Sequence, residues 1–436
     1  MKKIITCILL FLLCLTYSYA DKQNKGVADM KFPNGLELVI KQDTNLPVSS
    51  VHIFVGVGSV NETPKQAGLS HFIEHLLFKG SKNYPGDLLS RNVEKMGGLI
   101  NAFTSNEMTC YHVSIQKEGY IDTLKMLIDT VSNPLFPEDE IEKERKVVIE
   151  EIQRHKDNPR SELFEFFLQG LYKTSEYKNS VIGSSDIIAS VKREEIQRYF
   201  NQNYRPNKMV VSVTGDVDIE QTKQIVKETL GKLENPVFFS ADPTLIEPLK
   251  QTPVTSTRTD KTSHSYMLSG FLGPDMSSKD MFTAIVAMDI LGAGKSSRLY
   301  TKLKEEKNLV LNIGAAFENF KGTGVAYIFS IFDKDKYDDI CKEIENEVEK
   351  FAKEGPTKQE LEKAKINIKS NWLFENQTVG NRALNTGFWH LMGHADYFEN
   401  YIKYIDKISV QDIKNFMNNY YMKQKLSKAV IFQNEK

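Results

Sequence analysis

The sequence predicts an α+β protein of two homologous α/β-sandwich domains of about 200 residues, each a mixed or antiparallel sheet covered by helices. Three observations lead to this fold class. The chain has 436 residues, more than a single hydrophobic core usually serves. Strand-like alternation and helical periodicity follow one another in both halves. A proline-rich stretch without either periodicity separates the halves.

The composition is typical of a soluble globular protein, with 41% hydrophobic and 26% charged residues. The formal net charge of -1 gives no overall attraction to nucleic acid or to an anionic membrane surface. We therefore expect no nucleic-acid partner.

The elements of the first half follow from short-range patterns. A turn signal at residues 32–35 is where the fold is expected to begin. Alternating apolar residues, some of them β-branched, then predict strands at residues 36–40, 51–57, 99–104, 109–115 and 209–214. Helical periodicity predicts helices around His71 and at residues 119–131, 138–155, 161–171 and 219–233.

A similar order of patterns returns after residue 253. Strands are predicted at residues 263–271, 322–332 and 428–432. Helices are predicted at residues 279–291, 337–353, 358–373, 382–391 and 410–419. Between the halves, four of the fourteen prolines fall at positions 236, 243, 248 and 253, which indicates an extended linker. The predicted domains are residues 29–235 and 253–436, joined by a linker at 236–252.

The first 20 residues have the pattern of a secretory signal peptide. Two lysines follow Met1, an apolar run covers residues 4–15, and Ser18 and Ala20 are the small residues expected before a cleavage site. Cleavage after Ala20 would release an exported protein, periplasmic or secreted, with no stable membrane anchor. An uncleaved anchor is the alternative, but about 12 apolar residues are short for a span of roughly 20.

The segment His71-Phe72-Ile73-Glu74-His75 places two imidazoles and a carboxylate on one short stretch of helix. His71 and His75 are one helical turn apart, so both can bind the same metal ion. Glu74 is adjacent and can take a proton from a metal-bound water. This is the H-x-x-E-H pattern of the inverzincins.

A third ligand is expected from the predicted helix at residues 138–155, because catalytic zinc sites usually have three protein ligands. Five residues of this helix share one stripe: Ile141, Glu144, Val148, Glu151 and His155. A carboxylate on a core-facing stripe is costly unless it is paired or binds a metal. Glu150 is about 100° away from the stripe and should face solvent. Glu151 is therefore the predicted ligand, and Glu144 the predicted supporting or auxiliary acid.

The chain resembles the pitrilysin and mitochondrial-processing-peptidase family of zinc metallopeptidases over essentially its whole length after the signal peptide. The residues that carry the resemblance are 68–80, 97–104, 142–152, 204–206, 210–216 and 296–300. The resemblance implies His71, His75 and Glu151 as ligands of one zinc ion per chain. It also implies Glu74 as general base and Glu144 as an assisting catalytic residue.

The expected activity is hydrolysis of peptides or unfolded segments bound as an added strand. The strand at residues 99–104 is the candidate binding edge, and the family resemblance implies Asn101 and Ala102 as substrate-binding residues. Two alternatives remain: a catalytically inactive structural subunit, like the core subunits of respiratory complexes that share this fold, and a zinc-dependent protein that binds peptides without turnover.

One departure from the family predicts a partner. Family members that work alone have, in their second half, an arginine and a tyrosine seven residues apart that contact the substrate. Here Lys304 and Leu311 stand at those positions. Leucine cannot donate a hydrogen bond, and lysine lacks the planar fork of arginine. We therefore expect a heterodimer in which a related second subunit supplies the pair. A homodimer is the alternative, although Arg298 and Tyr300 are too close together to replace the pair directly.

Overall fold

The computed structural model describes residues 26–235, 243–249 and 252–434. The predicted signal peptide and most of the predicted linker lie outside these residues. The eleven strands of the described part are β1 (Val27–Lys31), β2 (Glu37–Gln42), β3 (Val48–Val55), β4 (Leu99–Thr104), β5 (Thr109–Gln116), β6 (Met209–Gly215), β7 (Thr255–Asp260), β8 (Ser265–Leu272), β9 (Asn312–Glu318), β10 (Val325–Phe332) and β11 (Ser427–Gln433).

The α-helices of the first half are α1 (Leu69–Leu77), α2 (Leu88–Lys95), α3 (Tyr120–Ser132), α4 (Glu138–Lys156), α5 (Pro159–Leu171), α6 (Ser185–Ser190), α7 (Arg193–Asn203) and α8 (Ile219–Glu228). Those of the second half are α9 (Asp280–Gly292), α10 (Tyr337–Glu354), α11 (Lys358–Glu375), α12 (Val379–Leu391), α13 (Ala395–Asp406), α14 (Val410–Asn419) and α15 (Tyr421–Gln424). Among the described residues, no helix is both long and apolar enough to span a membrane.

The strands form two mixed sheets with related topologies. The first has the order β1-β2-β6-β3-β5-β4, in which β2 and β6 are parallel and the other neighbours antiparallel. The second has the order β7-β11-β8-β10-β9, in which β7 and β11 are parallel. Apart from β1, the strands correspond one to one in order and direction. The predicted fold class, with two domains of mixed sheet and helices, is confirmed.

Each predicted strand and helix is present, with its ends shifted by a few residues. The prediction that the fold begins at residues 32–35 is wrong, because β1 precedes this turn and pairs with β2. Two further strands, β7 and β9, were also not predicted. All three are edge strands of their sheets. β7 has no apolar residue and β9 has no regular alternation of apolar and polar residues, so neither carries the pattern by which the other strands were predicted.

A helix from each half packs against the sheet of the other half. In β3, Val51, Ile53 and Val55 face the core formed with the helices of the first half. Phe54, on the opposite face, belongs to the core built largely by the second half. Helix α12 of the second half covers this opposite face, where Ser212 Oγ donates a hydrogen bond of 2.7 Å to the Ala383 carbonyl.

Helix α5 makes the reciprocal contact. Its buried residues Leu163, Phe167 and Leu171 form a cluster with Leu268 of β8 and Ile431 of β11. The two halves are therefore connected by the linker and also by these two contacts, in which α12 packs on the first sheet and α5 packs on the second.

The contact of α12 with the first sheet requires a glycine at position 387. A Cβ atom there would lie 2.1 Å from Phe54 Cε2 and 2.8 Å from Ser212 Cβ. Gly380, on the same helix, has more space, since its Cβ would meet no atom closer than the Ser114 Oγ at 3.4 Å.

We expect Gly387→Ala to lower the free energy of unfolding by about 1–3 kcal/mol, because Phe54 is fully buried and must move. Gly380→Ala is the control on the same helix and should leave stability unchanged or slightly higher. Denaturant unfolding followed by circular dichroism measures both. Equal midpoints for the two variants would contradict the tight packing of α12.

Candidate metal centre

Helix α1 presents the H-x-x-E-H residues on its one polar side. Phe72, Ile73 and Leu76 are buried in the core of the first half. His71 and His75 lie on the other side of the helix, with their ring centroids 4.8 Å apart. The apolar residues hold the helix against the core, and the two imidazoles are thereby turned toward α4.

Helix α4 brings Glu151 to the two histidines. Glu151 Oε2 lies 3.7 Å from His71 Nε2 and 3.4 Å from His75 Nε2. One potential ligand atom from each of the three residues lies within 4.8 Å of the others, and the described part of the chain holds no second group of this kind. Glu150 is exposed, as expected from its position on the helix. The predicted ligand set is thus brought together, whereas Glu150 is directed away from it.

Glu144 lies behind His75. Its Oε2 is 3.1 Å from His75 Nδ1, and its Oε1 is 2.7 Å from the Lys79 ammonium group. A carboxylate beside Nδ1 favours the tautomer that carries the proton there, which leaves the Nε2 lone pair pointing toward Glu151. Of the two roles predicted for Glu144, the geometry favours support of a ligand over direct contact with a substrate.

His71 has no comparable support. Its Nδ1 atom is buried and has no hydrogen-bond partner among the residues that the structure describes. Burial, with smaller contributions from His75 and His155, lowers the pKa of His71 to about 4. The ring is therefore neutral near pH 7, which is the state that binds a metal ion.

Glu74 is held by a threonine at the end of the neighbouring strand β4. Thr104 Oγ1 donates a hydrogen bond of 2.5 Å to Glu74 Oε2. Burial raises the pKa of Glu74, and the bond from Thr104 opposes this rise. A raised pKa makes the carboxylate of Glu74 a stronger base toward a proton of a water molecule.

Strand β4 forms the outer edge of the first sheet and pairs only with β5. Leu99, its first residue, is 76% exposed. Asn101 is exposed and its Oδ1 accepts a hydrogen bond of 2.9 Å from the Ala102 N–H. That backbone group is bonded by a side chain rather than by a strand, so it is accessible to another backbone. The two predicted substrate-binding residues thus lie on the free edge that leads to Glu74.

The residues present fit a zinc ion. Two neutral imidazole nitrogens and one carboxylate oxygen are a common ligand set for catalytic zinc, which leaves a position for water. The buried Nδ1 of His71 without a partner and the carboxylate behind His75 are consistent with two Nε2 atoms directed at a metal.

Three residues of this centre were not predicted from the sequence. Lys79 pairs with Glu144, and Thr104 bonds Glu74. Glu62 bonds the backbone at the start of α1. Lys79 lies two residues beyond the end of α1, so helical spacing does not indicate that it reaches the same partner as His75. For Thr104 and Glu62 the sequence likewise carries no signal.

Comparison with known proteins supports the resemblance to zinc metallopeptidases. A family model described as insulinase (peptidase family M16) matches residues 37–185, and one described as the peptidase M16 inactive domain matches residues 190–368. The uncharacterized zinc protease YmxG of Bacillus subtilis is 26% identical over 362 residues, which cover 81% of this chain and 85% of that protein. An uncharacterized zinc protease of Rickettsia felis is 26% identical over 399 residues, covering 91% and 95%.

Solved structures share the fold. A protease from Helicobacter pylori superposes with a TM-score of 0.85 and 24% identity, covering 94% of this chain and 99% of that one. A peptidase M16 inactive domain from Pseudomonas fluorescens gives a TM-score of 0.85 with 17% identity, covering 94% and 98%. At these identities the likeness concerns the fold.

Proposed function

The chain belongs to peptidase family M16, and on this basis we propose that it is a zinc metalloendopeptidase that hydrolyses peptides or unfolded segments. The observation that carries the proposal is the convergence of His71, His75 and Glu151, with Glu74 beside them on the same helix as the two histidines. An inactive subunit would not need to keep both the ligand set and the base.

His71, His75 and Glu151 would hold one zinc ion per chain. Zinc bound there supplies a Lewis acid that polarises a peptide carbonyl and makes a water molecule more acidic. Glu144 keeps His75 in the tautomer that this ligand role requires.

Glu74 transfers the protons of the reaction. Thr104 fixes Oε2 of its carboxylate, so the other oxygen is the one available to a water molecule. Glu74 accepts a proton as this water attacks the peptide carbonyl, and it then donates the proton to the leaving amine nitrogen.

The substrate lies along β4 as an additional strand. The free edge offers backbone groups that can bond any extended peptide, with little demand on its side chains. The bond between Asn101 and the Ala102 N–H is replaced when a substrate carbonyl arrives. Because β4 ends at Thr104, which holds Glu74, a strand bound on this edge is directed toward the base.

The proposal includes a second, related subunit that supplies the missing arginine and tyrosine. Lys304 Nζ donates a hydrogen bond to the Leu311 carbonyl, so both substituted positions lie together. Leu311 is 42% exposed, and its side chain has no polar atom. Arg298 is already engaged by Glu360, with its Nε 2.6 Å from Oε1, and is poorly available as a substitute. A heterodimer is therefore preferred to a homodimer.

An exported, periplasmic or secreted location completes the proposal and rests on the pattern of residues 1–20. We expect N-terminal sequencing of the exported protein to begin at Asp21. A sequence that begins at Met1 would contradict cleavage of the signal peptide.

Glu74→Gln should retain zinc and lose turnover by about 10²–10⁴-fold, because the ligands are untouched while the base is removed. Zinc content by atomic absorption and cleavage of a quenched peptide measure the two effects.

Glu151→Ala should instead lose the metal, and its neighbour Glu150→Ala should change neither the zinc content nor the turnover. Wild-type turnover in zinc-loaded Glu74→Gln would contradict the assigned base, and an empty site in Glu150→Ala would contradict the assigned ligand.

The purified chain alone should cleave a quenched peptide at least about 10²-fold more slowly than the chain mixed with a co-purifying relative that lacks H-x-x-E-H, because the oxyanion donors are absent. A chelator added to the mixture is the control for zinc dependence. Full activity of the monomeric chain would refute the need for a partner. Activity of the lone chain that rises with its concentration would favour the homodimer.

A further inference from the structure

Glu62 caps the helix that carries the two histidines, although it lies outside that helix. Its Oε2 accepts a hydrogen bond of 2.7 Å from the Gly68 N–H, and its Oε1 accepts one of 2.6 Å from the Ser70 N–H. The side chain is buried, with the residue 4% exposed. Both carboxylate oxygens are thus used to bind the backbone at the N-terminus of α1.

The helix needs such a cap because its own N-cap residue cannot provide one. The first N–H groups of any helix lack partners within the helix, and a side-chain oxygen usually accepts from one of them. The N-cap residue here is Gly68, with φ of 95°. A Cβ at this position would lie 2.9 Å from the Ile182 carbonyl oxygen and 3.0 Å from the Gly183 Cα, so a residue with a capping side chain does not fit.

A carboxylate is well suited to this position. The N-terminus of a helix carries partial positive charge, which stabilises a negative group in contact with it. Burial raises the pKa of Glu62, but the N–H groups of Gly68 and Ser70 each donate to a different oxygen of the side chain, an arrangement that favours the ionised carboxylate. These two amides therefore offset part of the cost of burying the group.

The two histidines differ in how they are held. The His75 ring is oriented through its side chain by Glu144. The His71 ring has no bond to its Nδ1 among the described residues, so its orientation depends on packing and on the position of its backbone. His71 directly follows Ser70, whose N–H is bonded by Glu62. The first turn of α1 therefore determines where His71 lies.

The segment that bears Glu62 is in turn bound to the turn between β4 and β5. The Ser59 N–H donates to the Ser105 carbonyl at 3.3 Å, and the Val60 N–H donates to the Asn106 carbonyl at 2.9 Å. The segment that contains Glu62 is thus bonded to the turn that follows β4, the strand proposed to bind substrate. Through Glu62, the same segment is bonded to the start of α1.

We propose that Glu62 is a positioning residue for zinc, which holds His71 through its backbone as Glu144 holds His75 through its side chain. This inference rests on the proposed function. It adds a buried residue outside the H-x-x-E-H segment that adjusts zinc affinity without contacting the metal.

The test compares Glu62→Gln with a control at a second buried glutamate that bonds backbone N–H groups, Glu247→Gln. Glu247 is also buried, and its Oε2 accepts backbone bonds of 2.8 Å from the Thr174 N–H and 2.7 Å from the Ser175 N–H. The NH2 group of a glutamine at position 62 would face one of the two backbone N–H groups. Because both groups are donors, one hydrogen bond would be lost. Zinc affinity is measured on the full-length mature chain by competition with a chromophoric chelator, and stability of the zinc-free protein by denaturant unfolding.

We expect Glu62→Gln to weaken zinc binding about tenfold or more, and Glu247→Gln to change it less than about twofold, even where both lower the unfolding midpoint. The visible absorption spectrum of the cobalt-substituted protein should change for Glu62→Gln alone, because the position of His71 changes. Zinc affinity of Glu62→Gln within about twofold of wild type, or an equal loss in Glu247→Gln, would overturn the inference.

If Glu62→Gln does not fold, Glu62→Asp replaces it. The shorter carboxylate keeps the charge but cannot reach both N–H groups, so a smaller loss of zinc affinity is expected, and unchanged affinity would overturn the inference. A wild-type chain that binds no zinc would refute both the proposed function and this inference. A wild-type chain that binds zinc normally, with Glu62→Gln unaffected, would refute the positioning role alone.

Discussion

Each sheet has one face covered by a helix from the other half, and the position of the metal centre depends on this exchange. Helix α5, which covers the second sheet, follows α4 after a short turn in which Asn158 Oδ1 accepts a bond of 3.0 Å from the Arg160 N–H. Glu165 of α5 lies 3.1 Å from His155, the residue one turn after Glu151. The last turns of α4 are therefore held by a helix that is itself fixed on the other half of the protein.

The chemistry of the centre follows from how its carboxylates are partnered. Glu144 is buried and shared between Lys79 and His75, so its charge is balanced within the protein. Glu74 has one hydrogen bond from Thr104 and keeps one oxygen for other partners. The Glu151 side chain is 40% exposed and faces the two imidazoles. Each carboxylate has a different surrounding, and each can therefore have a different role although the residue type is the same.

Periodicity allowed part of this arrangement to be predicted. His71, His75 and Glu151 could be grouped because helical spacing determines which residues share a side of a helix, and Glu150 could be excluded for the same reason. The exchange of α5 and α12 could not be predicted, since an apolar stripe shows that a helix is buried but not which sheet it meets. Glu62 was missed because it bonds backbone N–H groups, which are present in every sequence. Edge strand β9 was missed because its run of Gly314, Ala315 and Ala316 has no alternation.

The exchange of helices also restricts motion within the chain. A separation of the two halves would expose Phe54 and the face of the first sheet that α12 covers. It would also expose the apolar residues of α5 that pack on the second sheet. Separation of the two halves is consequently costly, because it would expose both apolar clusters to water. Because β4 already has a free edge, the peptide binding that we propose would not require such a separation. Movement of the whole chain against another molecule could regulate access to this edge without exposing either of these apolar clusters.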